Sequence, residues 1–269
     1  MTCLSRVRCW LAAGAVGLAI TGVSPALPDP QELSDPARLA AILEKAAHYC
    51  WRLDRAALDF ICREEVSEMT NRFRRGFDVY LYDFQFVRKK DEVKEQRNIM
   101  AINGKKVSRP MPVVQPAAFR YKNVLFGPVG LLSEFWQAYH SYRIVGEERI
   151  LDEKAVVVEA TPLPKAHEPH PYGKIWIKES DGSVLKIAWD QESLGNFGEI
   201  EAWAAENESQ PRITAYCEYR FEKNGLRFPS RNFTQQAYIR KDRSIFVNAE
   251  ISVVYKNYKF FTVETAVAY

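Results

Sequence analysis

The sequence predicts a mainly β protein: one large curved antiparallel sheet of about ten strands, with an N-terminal helix and a mid-chain lid helix on its concave face. Three observations predict it. From residue 59 onward apolar residues recur with period two. Asn103-Gly104, Asp181-Gly182 and Asn224-Gly225 punctuate these runs, and such pairs suit hairpin turns that need positive φ. No strand-helix-strand alternation appears, which excludes a parallel sheet.

The N-terminus is expected to be a signal peptide rather than part of the fold. Arg6 and Arg8 precede an uncharged apolar run from Trp10 to Val23, and Ser24-Pro25-Ala26 supplies small residues for cleavage after Ala26. The expected organisation is 1–26 as signal peptide and 27–269 as one domain, periplasmic or secreted. Removing Arg6 and Arg8 lowers the formal charge from +3 to +1, so the basic balance is not the footprint of a polyanion-binding protein.

Ser34 or Asp35 caps a helix with Pro36 in its first turn, whose Leu39, Ile42, Leu43, Ala46, Cys50 and Leu53 form an apolar stripe. A first strand runs from Asp59 to about Thr70. A second, Phe77 to Arg88, places Tyr80, Tyr82, Phe84 and Phe86 on one face with Val79, Leu81 and Val87 on the other. A third pairs back from Glu92 to Ile102. Residues 108–130 contain four prolines and read as an irregular loop, followed by a helix from Val129 to His140. The hairpin 172–190 is expected to turn tightly at Asp181-Gly182. Ile175 and Ile177 then face one way and Trp176 the other, while Leu185, Ile187 and Trp189 share a face. A short helix is expected near Ile200 to Ala205. Antiparallel strands from Ile213 to Thr265 close the chain, with Ser244–Tyr255 and Lys259–Thr265 separate.

After export Cys50, Cys62 and Cys217 remain. A Cys50–Cys62 disulfide is expected to staple the first helix to the first strand, contributing about 2–3 kcal/mol; the other reading is two buried thiols. Cys217 alternates with apolar neighbours and reads as core.

No catalytic constellation stands out. His167-Glu168-Pro169-His170 lacks metal-site spacing, and Pro169 forbids a helical presentation, so a solvated loop is expected. His48 reads as helix surface and His140 as a helix end. Glu64 and Glu65 are strand neighbours and point to opposite faces, so they cannot act as a pair. The basic clusters at Arg72, Arg74, Arg75 and at Arg88, Lys89, Lys90 read as a solvated rim. The sequence thus points to no enzyme, no cofactor, no metal and no nucleic-acid partner.

Aromatic density is the unusual feature. Tyr80, Tyr82, Phe84, Phe86, Leu132, Phe135, Trp136, Trp176 and Trp189 either fill a core or line a ligand cavity beneath the Val129–His140 helix.

The stretches VYLYDFQFVRKK, LFGPVGLLSEFWQAYHSYRIVGEE, GKIWIKESDGSVLKI and NGLRFPSR, with the leading helix, resemble the LolA/LolB outer-membrane lipoprotein-sorting superfamily. The resemblance implies an open half-barrel whose apolar interior holds acyl chains under a helical lid. No functional residue of that superfamily matches a position here. The expected function is a periplasmic, non-enzymatic protein binding a lipid, an acyl chain or lipoprotein acyl chains, with peripheral membrane contact. The alternative is an envelope sensor or scaffold that binds a protein partner through its sheet and basic rim.

Overall fold

The computed structural model describes residues 35–56, 58–70, 76–89, 92–112, 124–150, 152–164 and 170–261. The expected signal peptide, Arg72, Arg74, Arg75, Lys90, His167 and Glu168 lie outside the described residues. No described helix is long and apolar enough to cross a membrane.

The first helix, α1 (Asp35–Arg55), buries Ile42, Ala46, Tyr49, Cys50 and Leu53. Of the expected stripe, Leu39 and Leu43 are only partly buried against the core, and Tyr49 joins it. Asp35 in its first turn and Arg52 and Arg55 in its last suit the helix dipole. A meander follows: β1 (Asp59–Thr70), β2 (Asp78–Lys89), β3 (Glu92–Ile102) and β4 (Lys105–Pro112). The chain then crosses the inner face through α2 (Val129–Leu132) and α3 (Glu134–Gln137). A second meander comprises β5 (His140–Ile150), β6 (Glu153–Pro162), β7 (Gly173–Ile177) and β8 (Val184–Trp189). After α4 (Phe197–Glu206) come β9 (Gln210–Glu218), the small hairpin β10 (Phe221–Lys223) and β11 (Leu226–Phe228), then β12 (Arg231–Ile239) and β13 (Ile245–Phe261).

Eleven of these strands form one antiparallel sheet in the order β4-β3-β2-β1-β13-β12-β9-β8-β7-β6-β5, open rather than closed into a barrel. The last strand therefore joins the two meanders, pairing with β1 on one side and β12 on the other. Strand alternation gives the sheet an inner face, under the helices, and an outer face. Phe60, Cys62, Val66, Tyr82, Phe84, Phe86, Ile175, Ile187, Cys217 and Val253 build the main core against α1 and α2. On the same face, α4 packs Ile200 and Ala204 on Ile213 and Tyr238. Among the described residues the outer face carries a small buried cluster of Ala155, Val157, Trp176 and Leu185.

Several expectations are corrected. Asn103-Gly104 (φ 48° and 76°) and Asn224-Gly225 (54° and 71°) make the anticipated turns with both residues at positive φ. At the 172–190 hairpin only Gly182 (φ 72°) does so. The Asp181 carboxylate instead accepts from Ser183 N at 2.9 Å, and Lys178 N donates to Ser183 O at 2.9 Å, giving a wider loop from 178 to 183. A register shift at Trp176/Ile177 then turns Leu185 outward, away from Ile187. The expected 129–140 helix is two single turns broken at Ser133, whose backbone is extended (ψ 153°). Leu131 and Leu132 are thereby buried while Phe135 turns to solvent. Residues 105–112, assigned partly to a loop, are edge strand β4, where prolines cost no ladder bond. The two expected closing strands are one, with Asn257 (φ 57°) absorbing the irregularity between them.

The Cys50–Cys62 disulfide is not formed; Cys50, Cys62 and Cys217 are free buried thiols. Cys50 Sγ points to the Pro128 carbonyl at 3.4 Å, toward α2 rather than toward β1. Burial pushes the Cys62 thiol up to about 12 and Cys50 and Cys217 higher still.

The helix is seated by the 178–183 loop. A Cβ at Gly182 would lie 2.4 Å from the Lys45 carbonyl carbon, so the loop backbone abuts α1 directly. Arg38 grips Glu179 with two 2.7 Å bonds and reaches Glu147 at 2.6 Å. The buried Arg227 adds a second clasp: its N donates to Tyr49 Oη (3.2 Å), and its guanidinium to Ser183 Oγ (3.0 Å) and Glu153 Oε1 (2.6 Å).

Gly182→Ala should lower stability by about 2 kcal/mol or more, combining left-handed strain with the clash on α1. Urea unfolding reads this as a lower midpoint at unchanged slope, and an unchanged midpoint would refute the seating. Reductant should leave the wild-type midpoint unmoved, whereas a Cys50–Cys62 bond would contribute about 2–3 kcal/mol to be lost.

Candidate binding site

The inner face is where the sequence placed a cavity, and there the described aromatic side chains pack against one another. Phe60 stacks on Phe86 at 4.9 Å and meets Phe228 edge-on at 5.7 Å. Tyr82, Phe84, Phe86 and Leu132 belong to this one packed cluster, and Tyr80 and Trp189 lie against it. Among Phe60, Phe84, Phe86, Leu125 and Tyr255 about 10 Å³ remains, room for about one water.

The other anticipated residues are elsewhere. Phe135, 64% exposed, sits in a surface group with Trp136 (5.3 Å between ring centres) and Tyr139 (5.2 Å). His170 joins that group 5.0 Å from Trp136 and 4.5 Å from His140, so it is packed rather than solvated. His140 begins β5 instead of ending a helix; it is buried, with Nδ1 2.9 Å from the Trp136 carbonyl, and burial lowers its pKa. Trp176 lies on the outer face, donating to Glu148 at 2.8 Å under the Lys186 ammonium at 4.6 Å.

Sequence reasoning missed a buried ion pair. Glu64, fully buried on the inner face of β1, receives Arg97 of β3 through Nε (2.7 Å) and Nη2 (3.1 Å). Arg97 also contacts Glu95 at 3.0 Å and lies over the Phe84 ring at 4.4 Å. Burial pushes the Glu64 carboxyl up, and the Arg97 guanidinium opposes that. The available signal was periodicity: Glu64 alternates in step with Phe60, Cys62 and Val66, which places it among apolar neighbours. Glu65 faces outward, as expected, 3.6 Å from Lys256.

A large space lies on the opposite face. A groove of about 1010 Å³ runs over the outer side of β1–β4 and the end of β13. Ile61, Val79, Leu81, Met100 and Ala101 form its apolar floor; Arg63, Lys106, Lys259, Glu65 and Asp83 also line it. Its origin is visible in the ladders. Register shifts fall at Ile61/Arg63, at Leu81/Tyr82 and at Ile99/Ala101, all beneath the groove. Bulges bend strands and sharpen twist, and here they hollow the outer face. They also leave Met100 47% exposed on that face. Apolar lining of this size with a few charged groups has the dimensions of a ligand site. A second, more polar cleft of about 610 Å³ lies beside α4, lined by Trp203, Tyr238 and Arg240. Among the described residues no cluster of three or more His, Cys, Asp or Glu is placed to hold a metal.

No family model matches the chain, and no curated protein matches it in sequence. Among solved structures it is similar to a DUF1329 family protein from Desulfovibrio piger, with 9% identity, 87% of this chain and 96% of that chain covered and a TM-score of 0.40. It is similar to a LolA superfamily protein from Nitrosomonas europaea, with 15% identity, coverage of 83% and 94% and a TM-score of 0.33. It is also similar to a putative outer membrane lipoprotein-sorting protein domain from Vibrio parahaemolyticus, with 11% identity, coverage of 84% and 93% and a TM-score of 0.40.

Arg97→Met should destabilise the protein by about 3–5 kcal/mol, because it strands a buried carboxylate. The double variant Glu64→Leu/Arg97→Met should recover most of that loss. In Arg97→Met the folded-state pKa of Glu64 is further above its unfolded value, so its stability falls as pH rises. Denaturation midpoints at pH 5 and pH 7 should therefore differ more in this variant than in the wild type, with pH 5 the more stable.

Proposed function

We propose that this protein is a non-enzymatic envelope protein that binds an acyl chain or comparable apolar ligand. The observation that carries this reading is the groove of about 1010 Å³ with its floor of Ile61, Val79, Leu81, Met100 and Ala101. An isolated protein rarely leaves a contiguous apolar hollow uncovered without a use for it. The expected export signal supports a site in the envelope, where acyl-bearing molecules are abundant. The inner-face residues Tyr80, Tyr82, Phe84, Phe86, Leu132 and Trp189 would touch a ligand only if α2 and α3 lifted, because only about 10 Å³ is open there. The groove needs no such opening.

A second reading is a protein scaffold. It draws support from the open sheet, whose edge strands β4 and β5 each keep one unpaired side among the described residues. Strand addition by a partner could use such an edge. The exposed run Glu147, Glu148 and Arg149 on β5 works against it, since charges on an edge discourage pairing.

N-phenyl-1-naphthylamine, an uncharged apolar fluorophore, should bind the purified protein and be displaced by acyl lipids. Leu81→Glu should weaken that binding by tenfold or more, equivalent to about 1.4 kcal/mol, with little change in the unfolding midpoint. If Leu81→Glu leaves binding intact while Leu132→Ala removes it, the ligand lies inside the sheet. No binding by the wild type moves the conclusion to the scaffold reading.

A further inference from the structure

We propose that the groove is built for an anionic single-chain amphiphile of the fatty-acid class, with its carboxylate at Arg63 and Lys259. The proposal deepens the acyl-binding reading and rests on it.

The charges of the groove are not balanced internally. Its lining holds three cations, Arg63, Lys106 and Lys259, against two acids, and of these Glu65 pairs with Lys256 at 3.6 Å while Asp83 accepts from the neutral Gln85 at 3.1 Å. Among the described residues Arg63 and Lys259 have no ion-pair partner within 4.0 Å, although Asp83 stands opposite Arg63 on β2. On the β13 side the residue opposite Arg63 is Lys256, a like charge. Like charges facing each other across a ladder are unfavourable, and with Lys259 this corner holds three cations against Glu65 and Asp83, so it gains from an added anion. Lys259 lies opposite Ile61 on the same face, beyond the Asn257 irregularity, and both line the groove.

The floor gives the chain its direction. Glu65, Leu81, Ala101 and Lys106 lie in register across β1, β2, β3 and β4. Three strand spacings separate β1 from β4, about 14 Å. An acyl chain of one membrane leaflet spans about 15 Å, half the hydrocarbon thickness of a bilayer. A carboxylate held at Arg63 and Lys259 therefore lets its chain cross Leu81, Ala101 and the protruding Met100 before the groove ends at β4. Two cations on one anion, above an apolar floor, favour a fatty acid over its neutral analogue.

The test compares palmitate with methyl palmitate on the purified full chain, by competition against N-phenyl-1-naphthylamine at low ionic strength. Palmitate should bind about tenfold more tightly or better, as expected for charge-assisted contacts. Arg63→Gln/Lys259→Gln should abolish that preference while changing ester affinity less than about twofold. Lys241→Gln, a cation paired with Glu208 at 2.7 Å away from the groove, should preserve it. Equal affinities for acid and ester, or a preference that survives the double variant, would overturn the anionic proposal while leaving the acyl-binding reading intact. Failure of both ligands to bind would overturn both.

Discussion

The architecture depends on how one helix is held. Among the described residues α1 is the only long helix on the inner face, and it must cover a core drawn from both meanders. Side-chain packing alone would let an amphipathic helix slide along such a surface. The 178–183 loop prevents this, because Gly182 brings backbone against backbone at Lys45 while Arg38 clasps Glu179 and Glu147. Arg227 repeats the arrangement further along the helix through Tyr49, Ser183 and Glu153. Each exposed pair in such a clasp contributes about 1 kcal/mol or less, but the buried guanidinium and the glycine contact set position as well as energy.

Eleven strands present far more surface than the helices cover. The inner face takes α1, α2 and α4, and its described side chains pack against them. The outer face receives no helix among the described residues, and most of it is polar or charged. Where bulges gather in β1–β4 it becomes hollow and apolar instead. The same economy of helices that completes the core on one side leaves open space on the other.

Much of this was legible. Period-two alternation found the strands, and the Asn-Gly turns behaved as their chemistry dictates because asparagine tolerates positive φ. Asp181 departed from the pattern because its carboxylate had a nearer use, accepting from Ser183 N. The fate of Leu185 was not legible, since a bulge reverses the facing of every residue beyond it and has no local signature here. Ser133 likewise breaks a sequence with good helical spacing, because Leu131 and Leu132 must both reach the core. Aromatic spacing identified Tyr82, Phe84 and Phe86 as one face, but periodicity cannot separate a filled core from a cavity. The groove itself was hidden for the same reason as Leu185: it is made by register shifts.

The buried Glu64–Arg97 pair connects the two faces. It ties β1 to β3 across β2, and its geometry holds at one register only. A slip of one residue in β1 would put Glu64 into solvent and turn Arg63 toward the Phe84 ring. The outward presentation of Arg63, Leu81 and Ala101 is therefore fixed from behind, by a charge pair that itself never meets the groove. Apolar residues of equal volume could fill that inner site with similar or greater stability, but they would tolerate neighbouring registers that the bidentate pair does not. A groove assembled from alternate residues on four adjacent strands needs that discrimination more than it needs the extra stability.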